Sequence, residues 1–79
     1  MAISTDRFRV KSIRPAEYLR TDQVPKELQE RVLGKVVAAD DLGELGVQVK
    51  AAQLYHGGES LVAVYWKGDE YELTLEPAA

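Results

Sequence analysis

The sequence predicts a small α+β domain, mostly β, built on an antiparallel sheet of about five strands with one short helix. Three observations predict it. Residues 46–76 are runs of alternating character separated by Gly57-Gly58 and Gly68-Asp69, both tight-turn signals. Setting the two turns independently gives one continuous apolar face. Only one segment, PKELQERVLG, has apolar residues at helical spacing followed by a helix-stop glycine.

The first expected strand is 7–13, RFRVKSI, with Phe8 and Val10 on one face and Arg7, Arg9 and Lys11 on the other. Pro15 ends it and biases Arg14 to extended geometry. The helix is expected over 25–33. Pro25 suits a first turn, and Val24, Leu28 and Val32, with Leu33 beside them, form the apolar stripe. Arg31 lies in the last turn, where a cation favours the helix dipole, and Gly34 takes the stop position. KVVAAD, 35–40, is a further strand, joined to the next through the hairpin loop DDLGELG.

The remaining strands are 46–55, 60–67 and 70–76. A type II′ turn at Gly68-Asp69 pairs Trp66 with Tyr71, Val64 with Leu73 and Val62 with Leu75. A turn at Gly57-Gly58 pairs Tyr55 with Ser60, Gln53 with Val62, Ala51 with Val64 and Val49 with Trp66. Trp66 and Tyr71 thereby belong to the core, whereas Tyr65 falls on the opposite face beside Lys50 and Glu72. This order of elements is compatible with a small SH3-like barrel and equally with an open sheet carrying one packed helix. Neither architecture specifies a function.

A chain of 79 residues is one domain, burying roughly 60% of the surface its unfolded form exposes. It has no cysteine, its start MAISTDRFRV lacks an apolar leader segment, and its longest apolar run, LVAVYW, is far short of the ~18 residues of a membrane span. The expectation is a cytoplasmic protein with no membrane attachment. The net charge of −3 is uneven. Residues 1–35 carry eight Lys/Arg against five Asp/Glu, and residues 36–79 two against eight. Such asymmetry marks either an interaction surface or two halves that neutralise each other in the fold.

Catalytic chemistry finds little support. The one histidine, His56, sits at a turn with Glu59 and Ser60 nearby, where nothing excludes water from a triad. Asp40, Asp41 and Glu44 lack calcium-loop spacing, and zinc patterns lack their cysteines and histidines. Glu70, Glu72 and Glu76 share a solvated face, with no reason for their pKa values to separate. No phosphate-binding glycine motif occurs. The expectation is a protein with no catalytic residue, metal or cofactor, and no evident small-molecule substrate.

Two binding readings remain. The second face of the meander, with Ala52 and Leu54, then Leu61, Ala63 and Tyr65, is apolar with a polar rim, as a protein-binding surface is. Leu54, Leu61 and Tyr65 are its candidate contacts, for a partner or for self-association, unless a closed barrel or the helix buries that face. The edge at 70–76 is a further candidate, for strand addition. Alternatively, Arg7, Arg9, Lys11 and Arg14, with Tyr18 as a stacking residue and Arg20 beyond, form a basic stripe suited to nucleic acid.

Overall fold

The structure is a computed structural model that describes residues 7–19, 23–55 and 58–78. The elements are β1 Arg7–Pro15, α1 Lys26–Val32, β2 Val36–Ala38, β3 Gln48–Gln53, β4 Ser60–Trp66 and β5 Asp69–Ala78, with a 3-10 turn, Leu42–Leu45, between β2 and β3. The five strands form one antiparallel sheet in the order β2-β1-β5-β4-β3, curled into a half-barrel. Among the described residues β2 and β3 are its two open edges.

The meander β3–β4–β5 forms as expected, but its β4–β5 turn is displaced. Trp66 faces Asp69, Val64 faces Tyr71 and Val62 faces Leu73, so the two turn residues are Lys67 and Gly68, not Gly68 and Asp69. Both have positive φ, 50° and 88°, the geometry of a type I′ turn. The register therefore moves by two residues. Because side chains alternate with a period of two, every residue keeps its face. Val62, Val64, Leu73 and Leu75 are fully buried, and Tyr71 nearly so. Each such aliphatic side chain contributes about 1.5–3 kcal/mol before entropy is counted.

The β3–β4 pairing departs further. Val49 faces Val64, but then Ala51 faces Ala63, Ala52 faces Val62 and Gln53 faces Leu61, leaving Lys50 in a β-bulge. One extra residue reverses the alternation beyond it. Ala51 and Gln53, expected inward, lie on the outer face. Leu54, expected outward, packs partly buried against the core. The Gly57-Gly58 turn includes Gly57 and so lies outside the described residues. The hairpin end is secured by Ser60, fully buried, whose Oγ accepts the Tyr55 N–H at 2.8 Å.

Strand β5 is central, not an edge: β1 flanks it on one side and β4 on the other. Nor does β2 form a hairpin with β3. It pairs with β1, Phe8 facing Val37, and the intervening residues form the 3-10 turn that buries Leu45. Like β3, β1 is bulged, at Lys11 between Val10–Leu75 and Ser12–Thr74. The bulges at Lys11 and Lys50 sharpen the local twist, as a curled sheet requires.

The helix covers the inner face, where Leu28 and Val32 are fully buried. Leu33 does not join the stripe and is 41% exposed. It lies one helical step, about 100°, round from Val32. The helix end is fastened to β1. Gly34, at φ 78°, donates its N–H to the Val10 carbonyl at 3.0 Å, and Val10 donates to the Lys35 carbonyl at 3.0 Å. Trp66 is half-buried at the core margin, with the Arg31 guanidinium 4.9 Å from its ring centroid and the Lys67 ammonium 5.5 Å away.

Candidate functional site

With α1 packed on the inner face, no described element covers the outer one. Its surface reads as rows across the strands. Ser12, Thr74, Leu61 and Gln53 form one row, and Arg14, Glu72, Ala63 and Ala51 the next. A third holds Glu70 and Tyr65, with the Ala16 N–H extending the ladder to the Glu70 carbonyl at 3.0 Å. The face thus has two halves, ionic across β1 and β5 and nearly uncharged across β4 and β3.

The ionic half pairs the basic strand with the acidic one. Arg9 Nη1 lies 3.9 Å from Glu76 Oε2, and Arg14 Nε donates to Glu72 Oε1 at 2.8 Å. Lys11 leaves its bulge to bond Glu59. At the far end Glu70 Oε1 accepts from Lys50 Nζ at 2.9 Å and from the Tyr18 hydroxyl at 3.2 Å. The Lys50 hydrogen bond holds the Glu70 carboxyl below the usual glutamate range. The same bond raises Lys50, and desolvation followed by the Glu70 contact raises Tyr18. Lys11 is raised by its bond to Glu59.

Of the five residues expected to meet nucleic acid, Arg9, Lys11, Arg14 and Tyr18 are thus engaged by carboxylates of the same molecule. Arg7 is exposed at the start of β1 beside Ala38 and Ala78. Arg20 and His56 lie outside the described residues. The charge asymmetry of the sequence is in this part neutralised within the fold. Outward cations on one strand and outward carboxylates on another are what a cross-strand pair requires.

On the uncharged half, Ala51, Ala52, Gln53, Leu61, Ala63 and Glu72 line a shallow dimple of about 160 Å³. Leu61 and Tyr65, two of the three expected protein contacts, are half-buried on this face; Leu54 is not on it. Lys50 folds back over Tyr65, its Nζ 5.9 Å from the ring centroid, on its way to Glu70. Of the β3 alanines, the sequence places Ala52 outward and Ala51 inward; the bulge reverses both, setting Ala51 beside Ala63 and Ala52 opposite Val62.

The described residues form other concavities as well. A cleft of about 540 Å³ separates β1 from α1, lined by Lys11, Ser12, Ile13, Gln23, Val24, Gln29 and Leu33. A smaller one, about 240 Å³, lies beside Tyr18, Arg14 and Glu17. Among the described residues no three His, Cys, Asp or Glu side chains gather as a metal site, and no helix is long and apolar enough to cross a membrane. No protein-family model, curated protein or solved structure matches this chain significantly.

Proposed function

We propose that this protein is a non-enzymatic binding module, an accessory subunit that takes a protein partner on the outer face of β3 and β4. The observation that carries the reading is the location of the apolar dimple. It lies on a solvent face, beside an open strand, and is bordered on the other side by ion pairs. An apolar centre with a polar rim is the anatomy of a protein contact. Ala51, Leu61 and Ala63 supply the centre, and Tyr65, an amphipathic ring, supplies part of the rim.

A nucleic-acid reading is less well supported. Phosphate binding draws its affinity from cations that release counterions. Here Arg9, Lys11 and Arg14 already face carboxylates, so the field above β1 is largely cancelled. The test is capture of partners by tagged protein from its native lysate, divided and treated with or without nuclease, using wild type and Ala63→Lys. A defined protein that survives nuclease and is lost with Ala63→Lys is the expected result. Capture abolished by nuclease would overturn the proposal, and capture indifferent to Ala63→Lys would remove this face from it.

A further inference from the structure

We infer that the partner is an extended, apolar segment of another protein with flanking basic residues, which joins the sheet as a sixth strand along the free edge of β3. The inference rests on the proposed protein-binding function and specifies its mode.

Four features support it. First, β3 ends the strand order, so its outer backbone groups have no strand partner among the described residues. An extended segment satisfies them with main-chain hydrogen bonds, which supply affinity without a deep pocket. Second, the dimple starts at this edge. Neighbouring strands lie ~4.8 Å apart, and a long side chain reaches a diagonal neighbour ~7–8 Å away. Ala51 and Ala63 are adjacent in one row. A bulky aliphatic side chain on the added strand therefore rests over Ala51, at the open end of the dimple, with Ala63 one strand spacing further in.

Third, the charge that ordinarily protects an edge strand is withdrawn. An outward lysine is a common defence against strand pairing. Here the Lys50 ammonium is drawn inward to Glu70, 2.9 Å away, leaving Ala51, Ala52 and Gln53 as an uncharged stretch. Fourth, the chain flanking β3 is acidic in sequence, with Glu59 already bonded by Lys11 and Arg31 reaching the Gly46 carbonyl. In residues 36–66 Lys50 is the only cation, against Asp40, Asp41, Glu44 and Glu59. Charge complementarity therefore selects basic residues beside the apolar stretch of the partner.

A second copy of the chain fits less well. The six residues around the dimple fall well short of the ~20–30 per side of a standard stable interface. Paired with itself, β3 would also bring two Lys50 bulges together and leave only Ala51–Gln53 in regular register.

The experiment is selection of binders from a random displayed-peptide library against the full chain, followed by amide hydrogen exchange with the selected peptide. The expected binders alternate apolar residues between flanking lysines or arginines, slow exchange within Gln48–Gln53, and weaken about tenfold on Ala51→Arg, which fills the dimple. Leu33→Arg, on the helix side, should leave them unchanged. No enrichment, protection in the β1–α1 cleft instead, or concentration-dependent self-association that protects β3 would each overturn the inference. A folded partner lost with Ala63→Lys but indifferent to Ala51→Arg, with β3 amides unprotected, would sink strand addition while leaving the binding function standing. Indifference to both substitutions would sink the function as well.

Discussion

Leu61 and Val62 are chain neighbours that point in opposite directions, so together they test whether the outer face is a surface. Val62 is fully buried against Leu73 in the centre of the sheet. Val62→Ala removes two methyl-sized groups, about 1.6 kcal/mol at ~0.8 kcal/mol each, and the residual cavity raises the cost to about 2–3 kcal/mol. Leu61 is half-buried between Gln53 and Thr74. In Leu61→Lys the aliphatic stem covers the same sheet surface while the ammonium reaches water, so the cost stays within about 1 kcal/mol. A domain this small has a urea m-value of about 1 kcal/mol/M. The midpoint should fall by about 2–3 M for Val62→Ala and by about 1 M or less for Leu61→Lys. Trp66, the only tryptophan and half-buried beneath Arg31, provides the fluorescence signal. If Leu61→Lys costs as much as Val62→Ala, Leu61 is core, the outer face is not a surface, and the binding proposal loses its basis.

Three further outcomes are expected. A double-mutant cycle of Arg14→Ala and Glu72→Ala should give a coupling of about 0.5 kcal/mol that shrinks in about 1 M salt; a coupling indifferent to salt would mean the pair is not a surface ion pair. Gly68→Ala should cost roughly 1–2 kcal/mol in thermal or urea unfolding, because a Cβ is strained at φ 88°; no loss would refute the turn type. Because Glu70 is lowered in the folded protein, its contribution is complete above the ordinary glutamate value of about 4.3 and disappears as pH falls through its lower folded value. The stability difference between wild type and Glu70→Gln should therefore narrow below about pH 4.3, and a pH-independent difference would sink the Lys50–Glu70 contact.

What the sequence disclosed depended on redundancy. The face holding Val62, Val64, Leu73 and Leu75 was legible because several residues agreed, and a two-residue error of register does not change a face. The turn was displaced because Gly68 serves either as the first residue of a II′ turn or the second of a I′ turn. Nothing apolar distinguished the two. The Lys50 bulge was obscured because Ala51 and Ala52 are adjacent and interchangeable; its trace lay two residues on, in polar Gln53 and apolar Leu54, whose characters fit only the reversed faces. Strand order was the largest gap. Apolar periodicity says which side of a strand is buried but nothing of its lateral neighbours. The outward charges of Arg9 and Arg14 against Glu76 and Glu72 carried that information. For the candidate site, Leu61, Ala63 and Tyr65 could be placed on the outer face from sequence, while Ala51, which the bulge turns outward, could not.

The central position of β5 has a consequence for how the chain becomes a protein. Before β5 is in place there are two separate pieces: β1 with α1 and β2, and the hairpin of β3 with β4. No strand pairing in the order β2-β1-β5-β4-β3 connects them except through β5. Each piece alone exposes half of a core, and a lone hairpin is marginal in water. The last strand of the sequence is therefore a splice. It joins β1 and β4 across more than half the chain, so folding waits for a long-range closure and proceeds slowly for so small a domain. A synthetic β5 peptide supplied to the two pieces would be adding the seam rather than an edge.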